Sequence, residues 1–311
     1  MPRIKMHSLR HYLGIPFLLV PALGLTGCPP SPPSDAIDGA APGSDGSTPG
    51  DSGASDASAS AEAAGDSFSV ACDAGDVPTD GTNLVIRAAV AFRAASGWAG
   101  GARFSISKKI PSGAGLGGAS SDAVAALHAL NALAGGPLDG PALARVAASI
   151  GSDCSLFLAG GPVIMRGRGE ILEPLPKEAY SRVRGMRVLV FKPGFPILTP
   201  WAYGRLAAES PRAYTPAPRA EAMLSSWLSK PGAPADELYF NSMDRPAFAK
   251  FAAIPVLLER LRETFGINAR MSGSGSACFC LLNEKADSGS IERTIREAWG
   301  PSAFVIETRL A

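Results

Sequence analysis

One run of this chain has the residue types and spacing of an anion cradle: Lys109-Ile110-Pro111-Ser112-Gly113-Ala114-Gly115-Leu116-Gly117-Gly118-Ala119-Ser120-Ser121-Asp122. Four glycines in six residues let a backbone approach an anion closely and turn successive N–H groups into one concavity. Before the run, Arg103 to Ser107 alternates like a strand; after it, Ala, Val and Leu recur at helical spacing over about Asp122 to Leu133. A helix beginning there directs its positive dipole end at the loop, and Ser120 and Ser121 add hydroxyl donors. Strand, glycine loop and helix start in this order suit a polyphosphate. The final Gly-Lys-Ser/Thr of a Walker A loop is missing, and so is the GxGxxG spacing of a dinucleotide fingerprint. A plain glycine turn with a serine cap would explain the serines but not the four glycines.

Other chemistries have little material. Of three histidines, His7 and His11 lie at the extreme N-terminus, and His128 sits in an Ala/Leu-rich helix, where a structural role is expected. Five cysteines show no metal-ligand spacing: Cys72 and Cys154 are isolated, while Cys278 and Cys280 lie two apart in a strand-like run, a poor geometry for bridging. A second glycine loop, Gly273-Ser274-Gly275, separates two strand-like stretches, Ala269 to Ser272 and Ala277 to Leu282, and reads as a turn.

The elements that must hold these loops begin late in the chain. Its 311 residues are 46% hydrophobic and 18% charged with a net charge of +1, which excludes a disulfide scaffold, collagen, a coiled coil and a polytopic membrane protein. No basic footprint for nucleic acid exists. Residues 1–28 read as an export signal: Arg3, Lys5 and Arg10 precede an apolar stretch, Tyr12 to Leu25, too short to span a bilayer, which ends in Leu25-Thr26-Gly27-Cys28, similar to a lipobox whose Cys28 would be lipidated. Residues 29–65 are almost entirely Ala, Gly, Ser, Pro, Asp and Thr, and read as a disordered tether. The remaining stretch of about 245 residues can bury a sizeable core. Its pattern is α+β in two lobes, 66–185 and 186–311: a helix over Asn83 to Ala95, a helix opened by Pro141, strands near Pro162 to Met165 and over Arg187 to Phe191, a helix over Pro246 to Phe265 broken at Pro255, then strand, turn, strand, helix (Ile291 to Trp299) and strand (Ala303 to Arg309).

These residues resemble the GHMP small-molecule kinases, and within them the branch that phosphorylates 4-diphosphocytidyl-2-C-methyl-D-erythritol on its 2-hydroxyl for isoprenoid synthesis. Pro111 to Ala123 follows that branch's ATP loop with Ala119 in place of one glycine. The likeness continues through Asn83-Leu84-Val85-Ile86-Arg87-Ala88-Ala89, Gly151-Ser152-Asp153, Gly167-Arg168-Gly169-Glu170, Lys192-Pro193-Gly194 with Thr199 and Tyr203, and Met271 to Ser276. The resemblance implies a fold whose N-terminal lobe is like domain 2 of ribosomal protein S5 and whose C-terminal lobe is ferredoxin-like. It implies ATP with Mg²⁺ and a small-molecule alcohol as partners, and a membrane only through a lipid anchor. Lys109 and Pro111 to Ser121 would wrap the ATP phosphates, and Ser121 is the implied metal ligand. Asp153 would accept the proton of the attacking hydroxyl; the alternative reading is a helix cap ahead of Cys154 to Leu158. Thr199 would start the substrate-side helix, Tyr203 would stack on the cytosine or else sit in the core, and Gly273, Ser274 and Gly275 would close over substrate and phosphates.

The chain departs from that family in two ways. Cys154-Ser155 stands where the family has Val-Pro, and neither the family's N-terminal Pro-Ala-Lys-Ile-Asn-Leu nor its Gly-Tyr-His motif is present. Missing first strands would expose a sheet edge, and a missing lysine would weaken catalysis. Two other readings stay open: a kinase of the same family for another alcohol, such as homoserine or a mevalonate derivative, and a non-catalytic exported lipoprotein built on a decayed kinase body. The expected location is cytoplasmic for an enzyme and membrane-anchored for a lipoprotein.

Overall fold

The computed structural model describes residues 3–7, 58–167, 169–209 and 214–310. In its first sheet, β1 (Arg3–His7), β2 (Ser58–Ala63) and β3 (Phe68–Cys72) are followed by helix α1 (Leu84–Ser96) and strand β4 (Ala102–Ile106), in the spatial order β1-β2-β4-β3. The β1/β2 and β2/β4 pairs are antiparallel and β3/β4 is parallel. Strand β4 buries Ala102, Phe104 and Ile106 and exposes Arg103 and Ser105, so one face meets the core. Onto that face pack α1 and α2 (Gly118–Leu133), and α3 (Gly140–Ile150) packs against these helices, with Phe92, Leu127, Leu130 and Val146 in one apolar cluster. Asn83 caps α1 by accepting from Val85 N–H at 2.9 Å, and Asp139 caps α3 by accepting from Ala142 N–H at 2.8 Å.

This sheet corrects the expected tether and the expected exposed edge. Ser58–Ala63 is a strand, and Ala61, fully buried, belongs to the lobe's core. A serine–alanine alternation holds too little apolar bulk to signal a core by composition, yet a small residue suits a strand that must lie close beneath helices. The basic segment read as the start of an export signal contributes β1, which covers β2. The apolar stretch Tyr12 to Leu25, Cys28 and the body of the tether lie outside the described residues. No helix among the described residues is long and apolar enough to cross a membrane.

After a 3₁₀ turn (Ser155–Leu158), the hairpin β5 (Val163–Arg166) and β6 (Ile171–Pro174) and helix α4 (Lys177–Val183) lead to β7 (Arg187–Lys192). Next come α5 (Thr199–Ala208), α6 (Ala217–Ser229), a 3₁₀ turn (Ala235–Leu238), α7 (Asp244–Lys250), α8 (Ala253–Phe265), β8 (Ala269–Met271), β9 (Cys278–Leu282), α9 (Ser288–Trp299) and β10 (Phe304–Arg309). The second sheet runs β10-β7-β9-β8, antiparallel throughout. Counted within the lobe, that order is 4-1-3-2 with helices between strands, the ferredoxin-like arrangement expected. Leu189 and Phe191 face a cluster with α5, α7, α8 and α9, while Val188 and Val190 face one with α4 and α6. Burial on both faces explains why Arg187 to Phe191 reads apolar without alternation.

Two boundaries shift. Ile164 of β5 and Ala179 and Val183 of α4 join the second lobe's core, so that lobe reaches back past residue 186. The break expected at Pro255 falls instead at Phe251 and Ala252; Pro255 is the third residue of α8, where its missing N–H has no intrahelical partner to lose.

Candidate active site

Between the lobes lies a cleft of about 440 Å³. Its floor is the first glycine loop, Pro111 to Gly117, leading from β4 into α2. The glycines at 113, 115 and 117 have φ of +59°, +70° and +69°, and this alternation of left-handed residues curls the backbone. At Gly115 a side chain has no room: a Cβ would lie 2.3 Å from the carbonyl oxygen of Ser272. Its absence lets the second glycine loop dock. The first helical bond of α2 runs from Ser121 N–H to Gly117 O at 2.9 Å, leaving the N–H groups of Gly118, Ala119 and Ser120 without intrahelical partners at the cleft. Such a set of donors at a helix start holds an anion.

Opposite stands Asp153. Gly151 ends α3, and the β5–β6 turn braces the next residue: Gly169, at φ +111°, has no room for a Cβ, which would meet the Ser152 carbonyl oxygen at 2.8 Å. The 3₁₀ turn that follows is preceded by Cys154 and receives no side-chain cap, so Asp153 does not serve as one. Its carboxylate faces the cleft with no hydrogen bond or ion pair among the described residues, and burial pushes it above the ordinary carboxylate range.

The cleft's lysine is Lys108, not Lys109. Lys108 pairs with Asp122, the fifth residue of α2, both side chains largely buried. Burial pushes the Asp122 carboxyl up against the pull of Lys108. Lys109 is exposed and does not line the cleft. The signal for this was present: the inward residues of β4 are 102, 104 and 106, and the next step of two is 108. Lys108 is held by Asp73, which accepts from its backbone N–H at 2.8 Å and from Ser107 Oγ at 2.6 Å.

The second lobe supplies the remaining wall. Lys192, buried at the end of β7, donates to the Pro193 and Phe195 carbonyls at 3.1 Å each and shapes the turn that brings Pro196 and Ile197 against the first loop. Thr199 opens α5, as expected, and its Oγ1 lies 3.1 Å from Ser274 Oγ. Tyr203, one turn on, is 49% exposed, so it is a surface ring at the cleft and not a core residue. Gly273 and Ser274 line the cleft; Gly275 lies behind them against Met271 and Ile197. The two glycine loops are stitched together: Ser276 N–H donates to Gly113 O (3.1 Å), Ala277 N–H to Ala114 O (3.0 Å) and Ser272 Oγ to Gly115 O (2.8 Å).

Thus Pro111 to Ser120, Asp153, Thr199, Tyr203, Gly273 and Ser274 come together around one cleft, while Lys109, Ser121 and Gly275 do not line it. Sequence reading gave no site role to Lys108, to Asp122 or to the rim formed by Asp76, Val77, Pro78 and Asn83. Asn83 fixes that rim, donating to Pro78 O at 2.6 Å while capping α1. His128 is on the exposed face of α2, away from the cleft. Arg168 lies outside the described residues.

Comparison with known proteins agrees with this geometry. The model for the GHMP kinases N terminal domain matches residues 83–161, and that for the GHMP kinases C terminal matches residues 220–301. A 4-diphosphocytidyl-2-C-methyl-D-erythritol kinase of Methylacidiphilum infernorum is 35% identical over 211 residues, 68% of either chain. The Thermus thermophilus protein of that name is 38% identical over 218 residues, 70% of this chain and 73% of its own. A crystal structure of 4-(cytidine 5'-diphospho)-2C-methyl-D-erythritol kinase aligns with TM-score 0.59 at 32% identity, covering 80% of this chain and 85% of that one. A homoserine kinase from Cytophaga hutchinsonii aligns with TM-score 0.63 at 16% identity, covering 81% and 85%, and shares the fold. With both lobes matched in order and the identity running from one into the other, this chain belongs to the GHMP kinases, a family of small-molecule kinases.

Proposed function

We propose that this protein transfers the γ-phosphoryl group of ATP to the 2-hydroxyl of 4-diphosphocytidyl-2-C-methyl-D-erythritol, a step toward isoprenoid precursors. The observation that carries the reading is Asp153: a carboxylate without a partner among the described residues, facing the same cleft as an anion-binding loop and helix start. The loop N–H groups and the start of α2 would hold the phosphates and take up charge as the transfer proceeds. Asp153 would orient the substrate hydroxyl and accept its proton as the new P–O bond forms and ADP leaves. Tyr203 offers a half-exposed aromatic face for the cytosine, and Thr199 and Ser274 offer paired hydroxyls for the diphosphate or the alcohol.

Mg²⁺ would come with ATP. The cleft's carboxylates not paired with Lys108 are Asp76 and Asp153, with Ser120 among the hydroxyls beside them, and no cluster of three or more His, Cys, Asp or Glu side chains occurs among the described residues. That donor set fits an ion that takes one or two carboxylates and fills its shell with phosphates and water. Bound there, it would neutralise phosphate charge. The Ser121 assignment loses its support, because that residue does not line the cleft. A cytoplasmic setting belongs to the proposal, since the reaction consumes ATP; the anchor reading rests on residues outside those described.

The test is competition. With ATP and equal concentrations of 4-diphosphocytidyl-methylerythritol, homoserine and mevalonate, the purified chain should phosphorylate the first almost exclusively. Equal rates, or a preference for either other alcohol, would assign the cleft to a different substrate.

A further inference from the structure

We propose that Asn241 is a positioning residue for the kinase reaction: it sets the second glycine loop at the substrate wall of the cleft. This rests on the reading of that wall as the alcohol's side. Asn241 does not line the cleft. Its Nδ2 donates to both Met271 O (2.9 Å) and Gly273 O (2.8 Å), and its Oδ1 accepts from Met243 N–H (2.9 Å). The Met243 N–H requires an oxygen on that side, so the amide has one workable orientation, with both its hydrogens on the loop.

The surroundings tie this segment to β8 from both sides. Arg270 donates to the Asp244 carboxylate at 2.7 Å and to Tyr239 O at 3.3 Å, residues that bracket Asn241 in sequence. β8 is an edge strand of only three residues, so its lattice of main-chain bonds ends at the loop. The far end of the loop is fixed by the other lobe, through Ser276 and Ala277 to Gly113 and Ala114. At the near end Ser272 bonds to Ala277 O and Gly115 O (2.8 Å each), and Asn241 holds the carbonyls on either side of Ser272, Met271 O and Gly273 O. Ser274 lies between the two anchors with its hydroxyl 3.1 Å from that of Thr199. Releasing the two Asn241 bonds therefore loosens Gly273 and Ser274 on the substrate side, while the stitches to the phosphate loop, Ser272 included, remain.

The full chain is compared with N241A, N241D, N241H, S274A and the N241A/S274A double variant by amide hydrogen exchange without ligand and by steady-state kinetics. Losing two hydrogen bonds should speed exchange at Gly275, whose N–H donates to Ser272 O inside the loop, by about tenfold in N241A, with Ser276, Ala277, β7 and α8 unchanged. The KM for the cytidine-diphosphate alcohol should rise at least about fivefold while that for ATP stays within about twofold. N241D should be worse than N241A, because a carboxylate oxygen would face two carbonyl oxygens. N241H, which keeps one donor, should fall between wild type and N241A. Because Asn241 acts through Ser274, the double variant should be no worse than the more impaired single. Unchanged loop exchange in N241A and N241H, a parallel rise in both KM values, or additive losses would overturn the assignment. The exchange measurement decides it even where wild type fails to use the alcohol, an outcome that would count against the proposed substrate alone.

Discussion

A carboxylate that is largely buried with no cation beside it resists ionisation, and among the described residues Asp153 is in that position. Its pKa is raised in the native state, so between its unfolded value, near 3.9, and that raised value the native state binds more protons than the unfolded one. Its contribution to stability accordingly falls as pH rises through that window. Two outcomes follow for Asp153→Asn. Turnover should drop by about 10²–10⁴, the worth of a positioned proton acceptor. The thermal midpoint should rise at neutral pH, with the gap to wild type narrowing as the pH is lowered and Asp153 takes up its proton. A variant that loses activity and stability together would show Asp153 to be structural. In the wild type, kcat should fall on acidification at a pH above the ordinary carboxylate range. The glycines were legible from sequence because local order fixes them, whereas Asp153 was reached through the family resemblance. Lys108 against Lys109 was not read, though the period of β4 held the answer.

At the scale of elements, β2 departs most from sequence expectation. Its Ala61 is fully buried although the segment looks like linker, because burial here depends on a small side chain lying under α2 and not on apolar bulk. Ala61→Asp would bury a charge without a partner and should cost about 3 kcal/mol or more of stability. Ser60→Asp, one residue along and on the other face, should cost far less. Urea unfolding of both variants checks this; equal, small effects would place Ser58–Ala63 outside the cooperative unit. The helices were easier to read, since caps such as Asn83 and Asp139 and the terminal glycines Gly97 and Gly266 are local signals. The β6 strand and α4 were missed: β6 is four residues long with little burial, and α4 owes its place to packing against the second lobe.

For the whole molecule, function depends on the docking of two lobes that sequence describes separately. The first glycine loop reads alone as an anion cradle and the second as a turn. Only the fold shows that Gly115 must lack a side chain because Ser272 occupies the space, and that three hydrogen bonds join the loops into one wall of the cleft. The order of motifs along the chain identified the family's fold because each lobe keeps its own topology; their juxtaposition came from long-range contacts that no local pattern encodes. Among the described residues that line the cleft the only lysine is Lys108, already paired with Asp122, so on the proposed function charge stabilisation would fall on backbone N–H groups and the α2 dipole. The most direct measurement is ³¹P NMR of the chain incubated with Mg·ATP and 4-diphosphocytidyl-2-C-methyl-D-erythritol. The account predicts a new phosphomonoester on the alcohol appearing in step with ADP, and neither in the D153N variant. ADP without the monoester, or a monoester formed equally well by D153N, would contradict it.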